Sequence, residues 1–495
     1  MALLGDHDAP IAAAALGVLF AGRAYVPLDP SHPPARLAQI LADAGVAAIL
    51  ADAPHRALAA SIAGSIPLAS WSGEAALPTI EPSSIAYILH TSGSTGHPKG
   101  VIQSHENLVH HVETYARSLG LGPDDRLSLL PSLASDAGLM DLFGALLSGA
   151  SAHLRDLRSL GFAGASAWMR ERGITVIHAT PTVFRQLVAE PGFADLPAVR
   201  RVVLGGEIVR AADLAAFRGA FAADAVLVNG LGLTESTLAL QAFFSAADPI
   251  LEDPVPVGRP VAATEARILD EHGHASTAEE GELAICSRYL ALGYVGRLDL
   301  TAAAFGFDPG DGARFYRTGD RVRRLADGRF VFLGRADFQT KIRGHRVEPG
   351  EIERVLLAHP DVRDAGVLVE RSPSASDRLV AWVSPSMPGD LADFLRAHLP
   401  EALVPSRFAA AARLPRGASG KLDRRALAAS RCPGTRRSAP RPRARSSGKL
   451  RRSGATCSGS RPRRWIAGSS IWVATRSSRC ARTGSSSARS AARSR

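Results

Sequence analysis

Residues 90–100 read H-T-S-G-S-T-G-H-P-K-G, crowding three glycines, four hydroxyl side chains and one lysine into a single short segment. Thr91, Ser92, Ser94 and Thr95 can donate hydroxyl hydrogen bonds. Gly93 and Gly96 let the backbone close around an anion, and Lys99 adds a compact, mobile positive charge. The chemistry this suits is the gripping of phosphate. Composition alone would also fit a Gly/Ser linker, and the glycines are not spaced as in the usual P-loop. However, the apolar run Ile85-Ala-Tyr-Ile-Leu-His90 predicts a buried strand directly before the segment, and a linker has no use for Lys99. A loop leaving the end of a sheet is where α/β folds bind their ligands.

Three further clusters could join it. Asn229-Gly-Leu-Gly-Leu-Thr-Glu-Ser236 places a glycine-permitted turn before a hydroxyl and a carboxylate. That pairing can hold phosphate and Mg²⁺ together, because Mg²⁺ takes few protein oxygens and shares the rest with phosphates, which makes Glu235 the metal candidate. Tyr316-Arg-Thr-Gly-Asp320 is a polar turn in which Asp320 could accept both ribose hydroxyls, although Thr-Gly-Asp is also an ordinary turn. Lys421, in Ser419-Gly-Lys-Leu-Asp423, gains meaning only from its company.

The elements that must position these groups have room to form. A chain of 495 residues with 46% hydrophobic content supports two or three domains with substantial cores. The net charge of +11 is uneven, since residues 431–495 carry 18 Lys and Arg and no Asp or Glu. Residues 1–430 therefore hold 40 basic against 47 acidic residues, a net −7. Cys286 is the single cysteine before residue 431, which excludes a disulfide framework there and makes a reducing cytoplasm the expected setting. The longest apolar stretch near the start, residues 11–20, is too short to span a bilayer, so no membrane partner is expected.

In family order, Gly22-Arg-Ala-Tyr-Val-Pro-Leu-Asp29, residues 90–100, the region of Asp136, residues 229–235, Gly281-Glu-Leu283, residues 316–320 and the long run Gly334-Arg-Ala-Asp-Phe-Gln-Thr-Lys-Ile-Arg-Gly-His-Arg-Val-Glu-Pro-Gly-Glu-Ile-Glu353 resemble the adenylate-forming enzymes. Those are the acyl-CoA synthetases, firefly-type luciferases and adenylation domains of nonribosomal peptide synthetases. Lys421 completes the set, and the resemblance spans about residues 9–430.

It implies an α/β fold, with a large N-terminal region of stacked α/β subdomains over residues 1–333. A small mobile α+β C-terminal domain would cover residues 334–430, with the active site in the cleft between the two. It also implies a two-step reaction in which carboxylate and ATP give an acyl-adenylate and pyrophosphate, and a thiol then takes the acyl group. By position, Thr91, Ser92, Gly93, Ser94, Thr95, Gly96 and Lys99 would hold the β- and γ-phosphates. Thr234 and Glu235 would serve the α-phosphate and Mg²⁺, and Asp320 and Arg335 the ribose. Gly206 and Leu231 fall on further nucleotide positions, where leucine in place of the usual tyrosine gives up adenine stacking at a cost of roughly 1 kcal/mol. Lys421 would stabilise the crowded anionic oxygens of the transition state. Asp337 matches the hinge about which the small domain rotates, exchanging the lysine loop for Gly344 and its neighbours.

Asp136 falls on the aspartate that pairs with an α-amino group, which favours an amino acid substrate. Ala137, Met140, His178, Val203, Gly205, Gly230, Leu238 and Ala239 would complete a mostly apolar pocket for an uncharged side chain of medium or large size. His178 is open between a structural polar group and a side-chain reader. Ser135 replaces a usual phenylalanine, and Leu233 makes the Thr-Glu motif resemble an acyl-CoA ligase. The run Leu-Asp-Arg-Arg-Ala-Leu after Lys421 resembles a peptide synthetase instead.

The helix expected over residues 11–21 leads straight into residues 22–29, a segment that in the family follows N-terminal strands. The chain is therefore expected to be truncated there, with an exposed sheet edge. The basic tail reads as a disordered arm. Yet codons begun at the third base of their predecessors permit F-F-D-L-G-G-D-S-L over residues 468–477 and I-W-R-D-V-L-G over residues 452–459. Both strings are similar to the carrier-protein domain whose serine bears phosphopantetheine, so residues 431–495 are expected to be an out-of-frame carrier domain and not a nucleic-acid-binding arm. Three readings stand: an amino-acid adenylation domain that uses ATP and Mg²⁺ and loads a carrier protein, an acyl-CoA or aryl-CoA ligase, and an inactive fragment.

Overall fold

The computed structural model describes residues 1–64, 77–93, 97–194, 196–249, 252–270, 273–335, 339–342, 345–370, 378–416 and 422–429, together with 436–437 and 470–471. The fold is mixed α/β, with a large N-terminal region and a smaller C-terminal domain, as the resemblance implies.

The large region is built on an eight-stranded sheet in the order Arg259–Pro260, Thr237–Phe244, Val226–Leu233, Arg201–Gly205, Val176–Ala179, Arg126–Leu129, Ser151–Leu154 and Ser470–Ile471. The five strands from Val226–Leu233 to Ser151–Leu154 are parallel and apolar on both faces, because helices cover both sides. One face packs against the helices His105–Leu119 and Asp136–Leu147, and the other is buried under Pro181–Val188 and Ala211–Ala220. A largely antiparallel sheet follows, with Glu280–Cys286 and Phe330–Arg335 flanking the long strand Arg314–Arg324.

Two small sheets complete the region. Ile85–Thr91 is the strand expected from its apolar run, but it does not feed a crossover helix. It turns back into Lys99–Ser104, so the glycine-rich segment joins two antiparallel strands. Near the start, Ala2–Leu4 lies between Val26–Leu28 and Ile49–Ala51, parallel to both, with Ala2 and Leu4 fully buried. This corrects the expectation that no strand precedes the first helix: three residues are too few for a readable period, yet they make a central strand. The helix itself runs Ala9–Phe20, started by Asp8, whose side chain accepts from Ile11 N.

The C-terminal part has its own core, formed by the strands Asp364–Glu370, Arg378–Ser384 and Arg407–Ala410 under the helices Pro349–Leu357 and Leu391–His398. The hairpin of Thr340–Ile342 and His345–Val347 precedes it. Apart from the pairs Arg436–Arg437 and Ser470–Ile471, the basic tail lies outside the described residues. Among the described residues, no helix is long and apolar enough to cross a membrane.

Candidate active site

Glu235 is the centre of a buried charged cluster. It has no solvent exposure, yet its Oε1 lies 3.1 Å from Lys99 Nζ and accepts from Tyr294 Oη at 2.7 Å. Arg346 Nη1 reaches both oxygens, at 3.1 and 3.0 Å. Burial alone would raise the carboxyl pKa, but Arg346 and Lys99 outweigh it and hold Glu235 well below the usual carboxylate range. Lys99 is itself pushed down by burial against the pull of Glu235, and its ammonium sits 4.4 Å over the Tyr294 ring.

The turn that presents Glu235 is held from below. Gln103, fully buried on the strand after the glycine-rich segment, donates to Thr234 O at 2.9 Å and accepts from Asn107 Nδ2. Gly232 has no room for a side chain, since a Cβ there would meet Thr237 O at 2.1 Å. The strand that follows the glycine-rich segment and the Thr234–Glu235 turn, 131 residues apart along the chain at Gln103 and Thr234, are thus joined.

Asp136 opens the helix Asp136–Leu147. Ser135 is the N-cap, its Oγ accepting from Gly138 N at 3.2 Å and donating to Ser132 O at 2.6 Å, which explains a serine where the family has phenylalanine. Asp136 Oδ1 accepts from Ala137 N, and Oδ2 accepts from Thr234 Oγ1 at 3.3 Å. That second bond brings the carboxylate offered for an amine against the turn offered for phosphate.

The pocket positions share one sheet face. His178 pairs with Val203 and Val203 with Val228, so these side chains point the same way, and Gly205 pairs with Gly230 two residues further on. Met140, Val203 and Leu238 belong to the same apolar cluster. Ala239 departs from them: it is the extra residue of a bulge opposite Leu231 and Gly232, and it packs into a different core with Val101 and Leu240. Leu231 is partly buried beside that core, and Gly206, with φ +80°, ends the strand Arg201–Gly205.

Asp320 and Arg335 meet across two antiparallel strands, with Arg335 Nη1 donating to Asp320 Oδ1 at 2.6 Å and to Thr318 O at 2.9 Å. Burial nevertheless raises Asp320 above its ordinary value against that pairing. The paired strands Thr340–Ile342 and His345–Val347 reach this cluster: Ser92 Oγ donates to Arg346 O at 2.6 Å, and Lys341 Nζ donates to Gly232 O at 3.3 Å. Burial lowers the Lys341 pKa, opposed by Asp320 and Asp136, so its charge faces both carboxylates.

Ser94, Thr95, Gly96, Asp337, Gly344 and Lys421 lie outside the described residues. Sequence reasoning missed Tyr294, Arg346 and Lys341 as members of the cluster, and the signal available was the cationic run 341–346 within the long motif. The donor set fits a magnesium nucleotide. Among the described residues, Thr91 Oγ1 and Ser236 Oγ are buried hydroxyls without a hydrogen-bond partner, on segments that also carry Lys99 and Glu235.

Comparison with known proteins shows the family of the chain. Residues 1–295 match the family of AMP-binding enzymes, and residues 351–421 match the AMP-binding enzyme C-terminal domain. The chain is 36% identical over 431 residues to bacitracin synthase 3 of Bacillus licheniformis, covering 83% of this chain and 7% of that one. It is 39% identical over 446 residues to isonitrile lipopeptide synthase of Streptomyces coeruleorubidus, covering 84% and 29% respectively. It therefore spans only a minor part of the length of these synthases. Among solved structures, it matches NpsA-ThdA, an artificially fused adenylation–PCP di-domain of a nonribosomal peptide synthetase from Klebsiella oxytoca. That match has a TM-score of 0.71 and 28% identity over 82% of this chain and 83% of the other.

Proposed function

Because the chain belongs to the AMP-binding enzyme family, we propose that it uses ATP to activate the carboxylate of an amino acid as an aminoacyl-adenylate, for transfer to the phosphopantetheine thiol of a carrier protein. The observation that carries this reading is the bond from Thr234 Oγ1 to Asp136 Oδ2. It sets a carboxylate suited to an α-ammonium beside the hydroxyl and carboxylate suited to an activated phosphate. The relatives, which are peptide and lipopeptide synthases, support the amino acid, and the di-domain neighbour supports a carrier partner.

In this reading Asp136 takes the substrate ammonium, leaving the carboxylate directed toward the Thr234–Glu235 turn. A substrate carboxylate oxygen attacks the α-phosphorus and pyrophosphate leaves with the P–O bond electrons. The thiol sulfur later attacks the acyl carbon and AMP departs. Thr91, Ser92, Gly93 and Lys99, with Ser94, Thr95 and Gly96, hold the β- and γ-phosphates; Asp320 and Arg335 hold the ribose; Gly206 and Leu231 line the nucleotide. Mg²⁺, when bound at Glu235, supplies further charge neutralisation on the phosphates. Lys421 stabilises the developing charge, and Asp337 is the hinge between a 1–333 core and a 334–430 domain. The cytoplasm supplies the ATP. Residues 431–495 are read as an out-of-frame carrier domain, and resequencing codons 425–440 tests that by finding or failing to find a missing or extra base.

The test of function is exchange of labelled pyrophosphate into ATP. Exchange should depend on an amino acid, and Asp136→Ala should abolish it while leaving the melting temperature unchanged. Exchange that is indifferent to Asp136→Ala would remove the amine assignment. Acyl transfer to coenzyme A in place of a carrier thiol would favour a CoA ligase.

A further inference from the structure

Asp141 lies five residues beyond Asp136 on the same helix, outside the residues assigned above. It has no solvent exposure. Tyr115 Oη donates to its Oδ1 at 2.6 Å, His178 Nδ1 bonds the same oxygen at 2.9 Å, and Oδ2 has no partner among the described residues. Tyr115 reaches Asp141 because the two helices approach closely at Gly144, where a Cβ would meet the Tyr115 ring at 3.1 Å.

A carboxylate this deep needs a counter-charge. Among the described residues no lysine or arginine pairs with Asp141, and His178 is the one base in contact with it. The proton on Nδ1 is therefore directed at Asp141. Burial lowers the His178 pKa, but the Asp141 carboxylate outweighs it and Asp136 adds to the effect, so the imidazole lies above its ordinary value. Nε2 bonds to no described group, and the His178 side chain keeps 12% exposure on the sheet face it shares with Val203, Gly205 and Gly230.

We propose that Asp141 and Tyr115 hold His178 as an N–H donor in the wall of the substrate pocket, so that the preferred amino acid carries a hydrogen-bond-accepting oxygen, a hydroxyl or an amide carbonyl, on its side chain. This rests on the amino-acid reading and narrows it. Met140, Val203 and Leu238 alone would favour a purely apolar side chain. An apolar isostere, however, leaves the His178 N–H unpaired in a confined pocket, and a lysine-like side chain meets a like charge.

The experiment is pyrophosphate exchange by the full chain with matched pairs: threonine and valine, serine and 2-aminobutyrate, glutamine and norleucine, tyrosine and phenylalanine. The best substrate should bear oxygen and exceed its apolar partner at least about tenfold in kcat/KM. Asp141→Asn should bring that ratio close to one by raising the KM for the amino acid while leaving kcat and the KM for ATP in place. Preference for the apolar partner, or a ratio that survives Asp141→Asn, overturns the inference and leaves amino-acid activation standing. Exchange with no amino acid overturns both. The ratio on the unaltered chain stands whether or not Asp141→Asn folds, and Tyr115→Phe, which removes one hydroxyl, should lower the same ratio more mildly.

Discussion

A carboxylate sealed from water at Glu235 must be matched by the cations around it, and Lys99 and Arg346 supply the match from segments far apart in sequence. Glu235→Gln leaves both cations uncompensated. The variant should lose pyrophosphate exchange at least about a hundredfold and destabilise the fold by roughly 3–5 kcal/mol, the usual cost of breaking a buried pair from one side. Thermal unfolding and exchange measured on the same preparation check both halves. Lys99 and Glu235 were legible in the sequence because hydroxyls and glycines flank them and imply phosphate. Tyr294 was not, since it meets Glu235 only across a separation of 59 residues and a lone tyrosine carries no local signature of its partner, and Arg346, 111 residues away, was marked only by the cationic run 341–346.

At the scale of elements, the helix Asp136–Leu147 matters through its first turn. Ser135→Ala removes the cap and should cost about 1 kcal/mol, seen as a lowered melting temperature. The KM for the amino acid should rise several-fold as Asp136 loses its fixed position, with the KM for ATP unchanged. The apolar run before the glycine-rich segment announced a strand, and the alanine-rich stretch after Asp8 announced a helix, because each is long enough to show its period. What the run could not reveal was its partner. Whether Ile85–Thr91 leads to a crossover or turns back into Lys99–Ser104 is decided by pairing across the loop, and the loop's composition suits either. The pocket positions came from family alignment, and only strand register shows His178, Val203 and Gly205 on one face while Ala239 leaves it through a bulge.

For the whole molecule, acid is the condition that bears on folding. Burial first of all lowers His32, His111 and His153 to about 4 each, so the folded chain keeps them neutral where the unfolded chain protonates them near 6.5. Their contribution to stability is complete above pH 6.5 and is lost as pH falls from 6.5 toward 4. Unfolding at pH 5 should take up about three protons through these groups, and His111→Gln should reduce that uptake by about one, read from the pH dependence of the unfolding free energy.

The N-terminal and C-terminal parts are also joined by a buried ion pair between Arg36 and Glu351, next to the hairpin that carries Arg346. With Arg346 on both oxygens of Glu235, the resting molecule already satisfies the carboxylate that a magnesium nucleotide would need. Under the proposed function, nucleotide would bind only the fraction of molecules in which Arg346 has let go of Glu235, and the apparent affinity would be the intrinsic one scaled by that fraction. Arg346→Ala should therefore tighten equilibrium ATP binding in the absence of amino acid, whereas weaker binding would make Arg346 a nucleotide contact. If the binding tightens, changes in the 340–347 hairpin would set the ATP concentration to which the enzyme responds without altering any residue that touches the nucleotide.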